Sequence, residues 1–207
     1  RVRSSAASDV YKRQGLVRQI AVPFCSDELS DIQQCLLKIH DTSAPPVGQS
    51  VKSGSQTKGA LFARRAPELA RLKAALLDIL QDYKAGLPEQ DLVHPLLSMR
   101  EAAWGITSSW SIRLCGRGKH APHIHPKGLI SSACYFEVPA EVSQQGGPGW
   151  LDLGVPPTNL ETGLAALHSF QPKVGHCILF PSTMFHGTRP ISPVSYTHLR
   201  AHETPEH

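Results

Sequence analysis

Three histidines lie within six residues in the segment Gly118–Pro126, which reads Gly-Lys-His-Ala-Pro-His-Ile-His-Pro. Alternate residues of an extended strand share one face, so His123 and His125 would stand side by side, about 7 Å apart at Cα. Two imidazoles so placed can close on one metal ion. A distal histidine, His186, follows His125 by sixty-one residues, after an apolar segment. The pattern therefore requires a fold that brings these two distant segments together.

The histidine pattern predicts a metal site formed by His123, His125 and His186. A single histidine is more often a surface or hydrogen-bonded residue, and His120 can equally serve as a proton shuttle or support a ligand. Three neutral imidazoles favour a first-row transition metal, because Ca²⁺ and Mg²⁺ prefer oxygen ligands. Hydrolysis on zinc and oxygen activation on iron both remain open at this point.

Helical signals come first along the chain, and strand signals follow. Pro67 suits the first turn of a helix and Gly86 its C-terminal cap, and between them lies an apolar stripe of Leu69, Leu72, Leu76, Ile79, Leu80 and Tyr83. Residues 106–114 alternate between apolar and polar side chains, which predicts a half-buried strand. The order predicts an α+β, mainly β fold, with N-terminal helices packed on one side of an antiparallel sandwich or barrel.

Composition narrows the class of protein. The 207 residues include 17 prolines and 16 glycines, which favours a loop-rich β architecture over a helix bundle. No apolar run is long enough for a transmembrane helix, so we expect no membrane partner. The five cysteines are odd in number and form no Cys-x-x-Cys, which indicates reduced thiols and a cytoplasmic protein. A net charge of +4 without a basic cluster argues against nucleic-acid binding.

Both ends of the chain look foreign to it. Residues 1–14 and 193–207 have neither helical nor strand periodicity and resemble translated sequencing adapters. We therefore predict non-native tails at 1–14 and 193–207. The domain between them, 15–192, would comprise a helical support over 15–104 and a barrel over 105–192 that is truncated at its C-terminus. Within the support, the polar residues 47–61 predict a loop.

The sequence from Gln49 to Ser192 resembles a family in the order and spacing of six segments. They are Gln49–Ser50 with Gly54–Thr57, Ser109–Leu114, His120–Pro126, Ser131–Pro139, Gly149–Gly154 and Leu179–Thr188. The family is that of the 2-oxoglutarate/Fe(II)-dependent oxygenases, in the branch often linked to tetratricopeptide repeats. The resemblance implies a double-stranded β-helix, a jelly-roll barrel similar to that of the cupins.

The resemblance also implies an activity and a ligand set. The cofactors would be Fe(II) and 2-oxoglutarate, and O₂ would be consumed as 2-oxoglutarate is decarboxylated to succinate while a C–H bond of the substrate is oxidised. His123 and His186 match the two histidine ligands of the family. His125 stands where most relatives have a carboxylate, and Asp152 and Glu137 are the alternatives for that place. The three histidines would thus be the catalytic and metal-binding residues.

The binding of 2-oxoglutarate is the weaker part of the match. Tyr135 is a candidate for it, and so is Arg113 on the polar face of the strand at 106–114. Relatives hold the distal carboxylate with an Arg or Lys about ten residues past the distal histidine. Arg189 lies three residues past His186 and Arg200 fourteen, so neither fits. We therefore expect that this residue was lost with the native C-terminus, and that the fragment lacks full activity.

Two alternatives to an oxygenase remain open. One is a cupin-type three-histidine dioxygenase or isomerase, although Thr183 stands where the second cupin motif has Gly and no Glu follows His125 by four residues. The other is a non-catalytic jelly roll that only binds a partner. The substrate, a small molecule or a protein side chain, is not indicated by the sequence, and neither is the oligomeric state.

Overall fold

The protein folds as two facing antiparallel sheets with two helices on the outer side of the larger sheet. The structure, a computed structural model, describes residues 15–41, 51–143, 147–191 and 198–206. In chain order the strands are β1 (Arg18–Ala21), β2 (Val51–Gln56), β3 (Gly105–His120), β4 (Ile130–Tyr135), β5 (Leu151–Leu153), β6 (His168–Phe170), β7 (His176–Pro181), β8 (His186–Thr188) and β9 (His198–Glu206). The larger sheet has the order β1-β7-β4-β9-β3-β2, and the smaller one β6-β5-β8.

The two helices are α1 (Ser26–Asp41) and α2 (Pro67–Ala85). Helix α1 begins where the Cys25 N–H donates to the Glu28 carboxylate at 3.0 Å, which satisfies an otherwise unpaired backbone donor. Helix α2 has Pro67 in its first turn and Gly86 as its C-terminal cap, and the whole predicted apolar stripe is buried. No helix in the described part of the chain is long and apolar enough to cross a bilayer.

The core has two layers, because the strands of the larger sheet bury both of their faces. On β4 the outward-facing Ile130 and Cys134 pack against α2, together with Cys177 and Leu179 of β7. The inward-facing side chains meet the smaller sheet in a second cluster of Ala133, Tyr135, Leu151, Leu153, Ile178, Phe180 and Met184. The predicted fold class, a mainly β jelly roll with N-terminal helices on one side, is confirmed.

The helical support also contributes strands to the barrel. Strand β1 pairs with β7 and forms one edge of the larger sheet, and β2 pairs with β3 at the other edge. The predicted loop at 47–61 is therefore wrong for residues 51–56, while 47–50 lie outside the described residues. The strand escapes the sequence pattern because its hydrogen bonds come from a partner more than fifty residues away.

Strand β9 lies between β3 and β4, within the stretch 193–207 that is predicted to be a non-native tail. The register sets Arg200 opposite Ile112 on one side and opposite Tyr135 on the other. Residues 198–206 of the predicted C-terminal tail thus form a strand, whereas 1–14, 193–197 and 207 lie outside the described residues. That both tails are non-native stays a prediction.

Candidate metal centre

The segment that carries His123 and His125 crosses from the larger sheet to the smaller one. The His123 N–H donates to the His186 carbonyl at 3.1 Å, and the His186 N–H donates back to the His123 carbonyl at 3.0 Å. The His125 N–H donates to the Ser182 carbonyl at 2.9 Å. Backbone pairing with β8 and with the turn before it therefore fixes the two distant histidine segments against each other.

The three predicted ligands form one cluster. Nitrogen atoms of His123, His125 and His186 all lie within 4.8 Å of one another. The ring centroids are 4.9 Å apart for His123 and His125, 4.2 Å for His123 and His186, and 5.1 Å for His125 and His186. The structure thus brings together the residues that the sequence proposes as a metal site.

Two of the rings are held in a defined orientation by backbone carbonyls. Nδ1 of His123 lies 2.8 Å from the Ala121 carbonyl, and Nδ1 of His186 lies 3.0 Å from the Met184 carbonyl. A carbonyl can only accept, so Nδ1 carries the proton in both rings and Nε2 keeps its lone pair. This is the arrangement that usually orients a histidine for metal binding.

Apolar side chains surround the cluster. The Phe180 ring lies 4.8 Å from the ring of His186, and the Trp110 ring meets His125 edge-on at 5.4 Å. Burial, together with a smaller contribution from the neighbouring His123, lowers the pKa of His125 to about 4. His125 is therefore neutral at neutral pH, which is the form that binds a metal.

The donor set fits a first-row transition metal. Three neutral imidazole nitrogens suit iron, zinc, copper or nickel, whereas hard cations require oxygen donors. A centre with only three protein ligands leaves coordination positions for other molecules, as catalytic sites do. Fold and site together define a jelly-roll protein with a candidate three-histidine metal centre.

Tyr135 and His120 are placed near this centre in different ways. Tyr135 is buried between the two sheets, where it packs with residues of β5 and β7. The ring of His120 is also buried, and its centroid lies 4.3 Å from that of His123. His120 does not belong to the cluster of three, so the structure favours a supporting role over direct metal contact.

Arg113 is not brought to the histidines. It shares one face of β3 with Ser111, whose hydroxyl lies 2.9 Å from Nε2 of His40 in α1. On this helix-facing side the charge of Arg113 acts on Glu137. The placement argues against the predicted role in binding 2-oxoglutarate, because Trp110 and Ile112 occupy the opposite face of the strand.

The two alternative carboxylates have other neighbours. Asp152 accepts two hydrogen bonds from Arg189, one from Nε at 2.9 Å and one from Nη2 at 2.8 Å. Burial raises the pKa of Glu137, while Arg113 and a hydrogen bond with Gln33 oppose that rise. Neither carboxylate belongs to the histidine cluster. Arg189 therefore serves as the ion-pair partner of Asp152.

Sequence reasoning missed two residues that shape the site, Trp110 and Thr188. Trp110 contacts His125, and the Thr188 hydroxyl accepts from the His120 N–H at 2.8 Å. The alternation along β3 places Trp110 on one of two faces, and Thr188 follows His186 by two residues on the same strand. The sequence therefore carried a signal for both residues. It did not indicate which face of the strand meets the segment His120–His125, the metal segment.

A groove of about 310 Å³ adjoins the metal segment. Pro126 and Pro181 line it beside the centre, and Leu96 and Met99 line it from the connector that precedes β3. Lys127, Ser98 and Thr183 add polar groups to a mainly apolar wall. Two lining residues are sequence neighbours of the metal site: Pro126 directly follows His125, and Thr183 directly follows Ser182, the backbone partner of His125.

Residues 108–195 match the sequence profile of a family described as "Putative 2OG-Fe(II) oxygenase". Among curated proteins, none matches the chain. Solved structures do match in fold. A prolyl-4-hydroxylase from Pseudomonas putida is 13% identical, with a TM-score of 0.62 over 96% of this chain and 97% of that one. HygX from Streptomyces hygroscopicus, solved with nickel and 2-oxoglutarate bound, is 12% identical, with a TM-score of 0.63 over 98% and 85%.

A viral collagen prolyl hydroxylase from Paramecium bursaria Chlorella virus-1, solved as a 2-oxoglutarate complex, is 14% identical, with a TM-score of 0.60 over 92% and 95%. The resemblance to the 2-oxoglutarate/Fe(II)-dependent oxygenases is confirmed, and so is the double-stranded β-helix. The comparisons support an enzyme of the 2-oxoglutarate-dependent dioxygenase class. They favour neither the cupin-type alternative nor the non-catalytic one.

Proposed function

We propose that this chain is an Fe(II)- and 2-oxoglutarate-dependent oxygenase whose metal ligands are His123, His125 and His186. The observation that carries the proposal is the cluster of three imidazoles with nitrogens within 4.8 Å of one another. The Nδ1 contacts of His123 and His186 support it, because they leave Nε2 of both rings for the metal. The family match over 108–195 supports iron and 2-oxoglutarate over other metals and cosubstrates.

Iron held here would allow O₂ to oxidise a substrate C–H bond, with 2-oxoglutarate supplying the other two electrons as it is decarboxylated to succinate and CO₂. The residues of the chain provide the place and the surroundings. Phe180 and Trp110 border the imidazoles with apolar rings and keep bulk water from that side. The neutral state of His125 keeps its nitrogen available without competition from a proton at neutral pH.

Tyr135 is our candidate for holding 2-oxoglutarate, because it is buried on the inner face of β4 between the sheets. No Arg or Lys stands about ten residues past His186, where the family holds the distal carboxylate. The register of β9 offers Arg200 for this role, since Arg200 lies opposite Tyr135 in the sheet. Without a bidentate partner, binding of the distal carboxylate would lose about 2 kcal/mol or more.

The substrate is a small molecule or a protein side chain, and we place it in the groove of about 310 Å³ beside His125. The mostly apolar lining of this groove and its position next to the metal segment support that choice. Among the structural neighbours, one is a prolyl hydroxylase with a peptide fragment and another is HygX with hygromycin B, so the fold serves both kinds of substrate. We propose a cytoplasmic enzyme without nucleic-acid or membrane partners.

The test is an anaerobic titration with Fe(II) and 2-oxoglutarate, followed by the metal-to-ligand charge-transfer absorbance. Four chains are compared: the wild type, His186→Ala, Arg200→Gln, and a version whose residues 193–207 are replaced by a strand that carries an Arg. His186→Ala is the negative control and should show no band. A band that appears only in the version with the replaced strand supports the oxygenase and shows that 2-oxoglutarate binding needs an added Arg.

The other outcomes distinguish between the remaining hypotheses for the anchor, the cosubstrate and the metal site. A band in the wild type that disappears in Arg200→Gln would assign the anchor to Arg200. Iron binding in all chains except His186→Ala, with a band in none, would refute 2-oxoglutarate binding and favour a cupin-type centre. Absence of iron binding from the wild type and the version with the replaced strand would refute the metal site itself.

A further inference from the structure

Strand β8 holds the metal segment at three successive residues. His186 pairs with the backbone of His123 through two hydrogen bonds. Gly187 lies against the first residues of the metal segment. A Cβ on this glycine would meet the His120 carbonyl oxygen at 2.9 Å and Pro122 N at 3.0 Å. Thr188 then accepts the His120 N–H on its hydroxyl at 2.8 Å. The same short strand thus carries one ligand and contacts both ends of the segment that leads to the other two.

The Thr188 bond lies where the chain leaves one sheet for the other. His120 is the last residue of β3 in the larger sheet, and His123 already pairs with β8 in the smaller one. Only Ala121 and Pro122 separate them, and Pro122 has no N–H to donate. The position of the metal segment therefore depends on the hydrogen bond that fixes its first residue, His120.

We infer that Thr188 is a positioning residue for the metal centre, acting through the backbone of His120 on the placement of His123. This inference rests on the proposed function, because it assumes that the three histidines bind a metal. Thr188 and His120 are both buried, so loss of the hydroxyl would leave a buried N–H without its acceptor. The segment would then shift to reach another partner, and it would carry the ring of His123 with it.

The chain offers a matched control in Thr57. This threonine is also buried, and its hydroxyl also accepts a backbone N–H, that of Ser111 at 3.0 Å. Ser111 lies on the helix-facing side of β3, away from the histidines. Thr57→Val and Thr188→Val therefore remove the same kind of hydrogen bond, but only the second removes it from the metal segment.

The experiment measures Co(II) binding by absorbance on the wild type, Thr188→Val, Thr188→Ser and Thr57→Val, together with the melting temperature of each metal-free chain. We expect both valine variants to melt earlier. Only Thr188→Val should bind Co(II) more weakly, by about tenfold or more, as is usual when a supporting residue of a metal site is lost. Thr188→Ser keeps the hydroxyl and should restore the affinity.

A second measurement uses the wild type alone and so does not depend on a variant that folds. If the Thr188 bond favours metal binding, then metal binding must favour the bond, because coupling free energies are reciprocal. Hydrogen exchange at the His120 amide should therefore slow when Co(II) is added, and by more than exchange at the Ser111 amide, which slows only as far as metal binding stabilises the whole chain.

Equal Co(II) affinity in Thr188→Val and the wild type would overturn the inference and leave the proposed function standing. Equal weakening in Thr57→Val would also overturn it, because the effect would then be one of general stability. If Thr188→Val does not fold, exchange at His120 that slows no more than exchange at Ser111 on metal addition overturns it instead. Absence of Co(II) binding from the wild type would overturn the proposed metal site and this inference together.

Discussion

Replacing Gly187 by alanine should disturb the metal centre without touching a ligand. The added Cβ would lie 2.9 Å from the His120 carbonyl oxygen, 3.0 Å from Pro122 N and 3.1 Å from Pro122 Cα. All three are backbone atoms, so no side-chain rotation can relieve the contact. The metal segment must therefore move away from β8 by a few tenths of an ångström.

The size of the effect follows from the crowding. An extra methyl group in a closely packed site costs about 1–3 kcal/mol in the free energy of unfolding. For a chain of 150–250 residues, each kcal/mol lowers the melting temperature by about 2–4 °C, so a fall of about 2–12 °C is expected. Co(II) affinity should fall as well, because the shift moves the residues that precede His123.

Gly105→Ala is the matched control. A Cβ at Gly105, the first residue of β3, meets no atom within 4 Å. Alanine there should be neutral, or it should stabilise the protein by about 0.4–1 kcal/mol through the unfolded chain. Urea unfolding of both metal-free variants, followed by circular dichroism, gives the comparison. If Gly187→Ala is as stable as Gly105→Ala and binds Co(II) equally well, the close approach of the metal segment to Gly187 does not constrain the metal centre, and the prediction is refuted.

Three further results are expected. Asp152→Asn weakens the ion pair with Arg189 and should cost about 1 kcal/mol in urea unfolding, with Co(II) affinity unchanged; a large loss of affinity would instead identify Asp152 as a ligand. Tyr83→Phe removes the buried hydrogen bond of 2.8 Å from the Tyr83 hydroxyl to the Leu16 carbonyl, and should cost about 1 kcal/mol in the same assay. Co(II) at one hundred times its dissociation constant should stabilise the wild type by about 2.7 kcal/mol, and an equal stabilisation of His186→Ala would contradict the ligand assignment.

The helices could be predicted from sequence because their signals are local. Pro67, Gly86 and the apolar stripe between them all act within a few residues, and the observed helix α2 has these bounds. Strand β2 had no such signal, because Gly54 and its polar neighbours give no apolar alternation. A Cβ at Gly54 would meet the Arg113 carbonyl oxygen at 2.2 Å, so this glycine is required by the approach of β3. That requirement exists only once the two strands are paired.

The metal cluster was predictable for a related reason. His123 and His125 lie two residues apart, so their common side follows from strand geometry alone, and only the arrival of His186 needed the fold. The placement of Arg113 could not be predicted, because alternation along β3 defines two faces without indicating which one lies inside. The packing of α1 determines which face lies outside. His40 of α1 contacts Ser111, so the face that Arg113 shares with Ser111 meets the helices.

The charge around the centre gives one more reason to connect the three histidines with 2-oxoglutarate. Asp152 is bound by Arg189, and Glu137 lies beside Arg113, so neither carboxylate compensates a metal at the cluster. A divalent ion held by neutral imidazoles keeps both of its positive charges, whereas a histidine–histidine–carboxylate triad would cancel one of them. In a site bordered by Phe180 and Trp110, where charges interact more strongly than in water, that excess favours an anionic ligand. A dicarboxylate with two negative charges would balance it completely, so the proposed ligation by His125 in place of the usual carboxylate would strengthen the electrostatic attraction for 2-oxoglutarate.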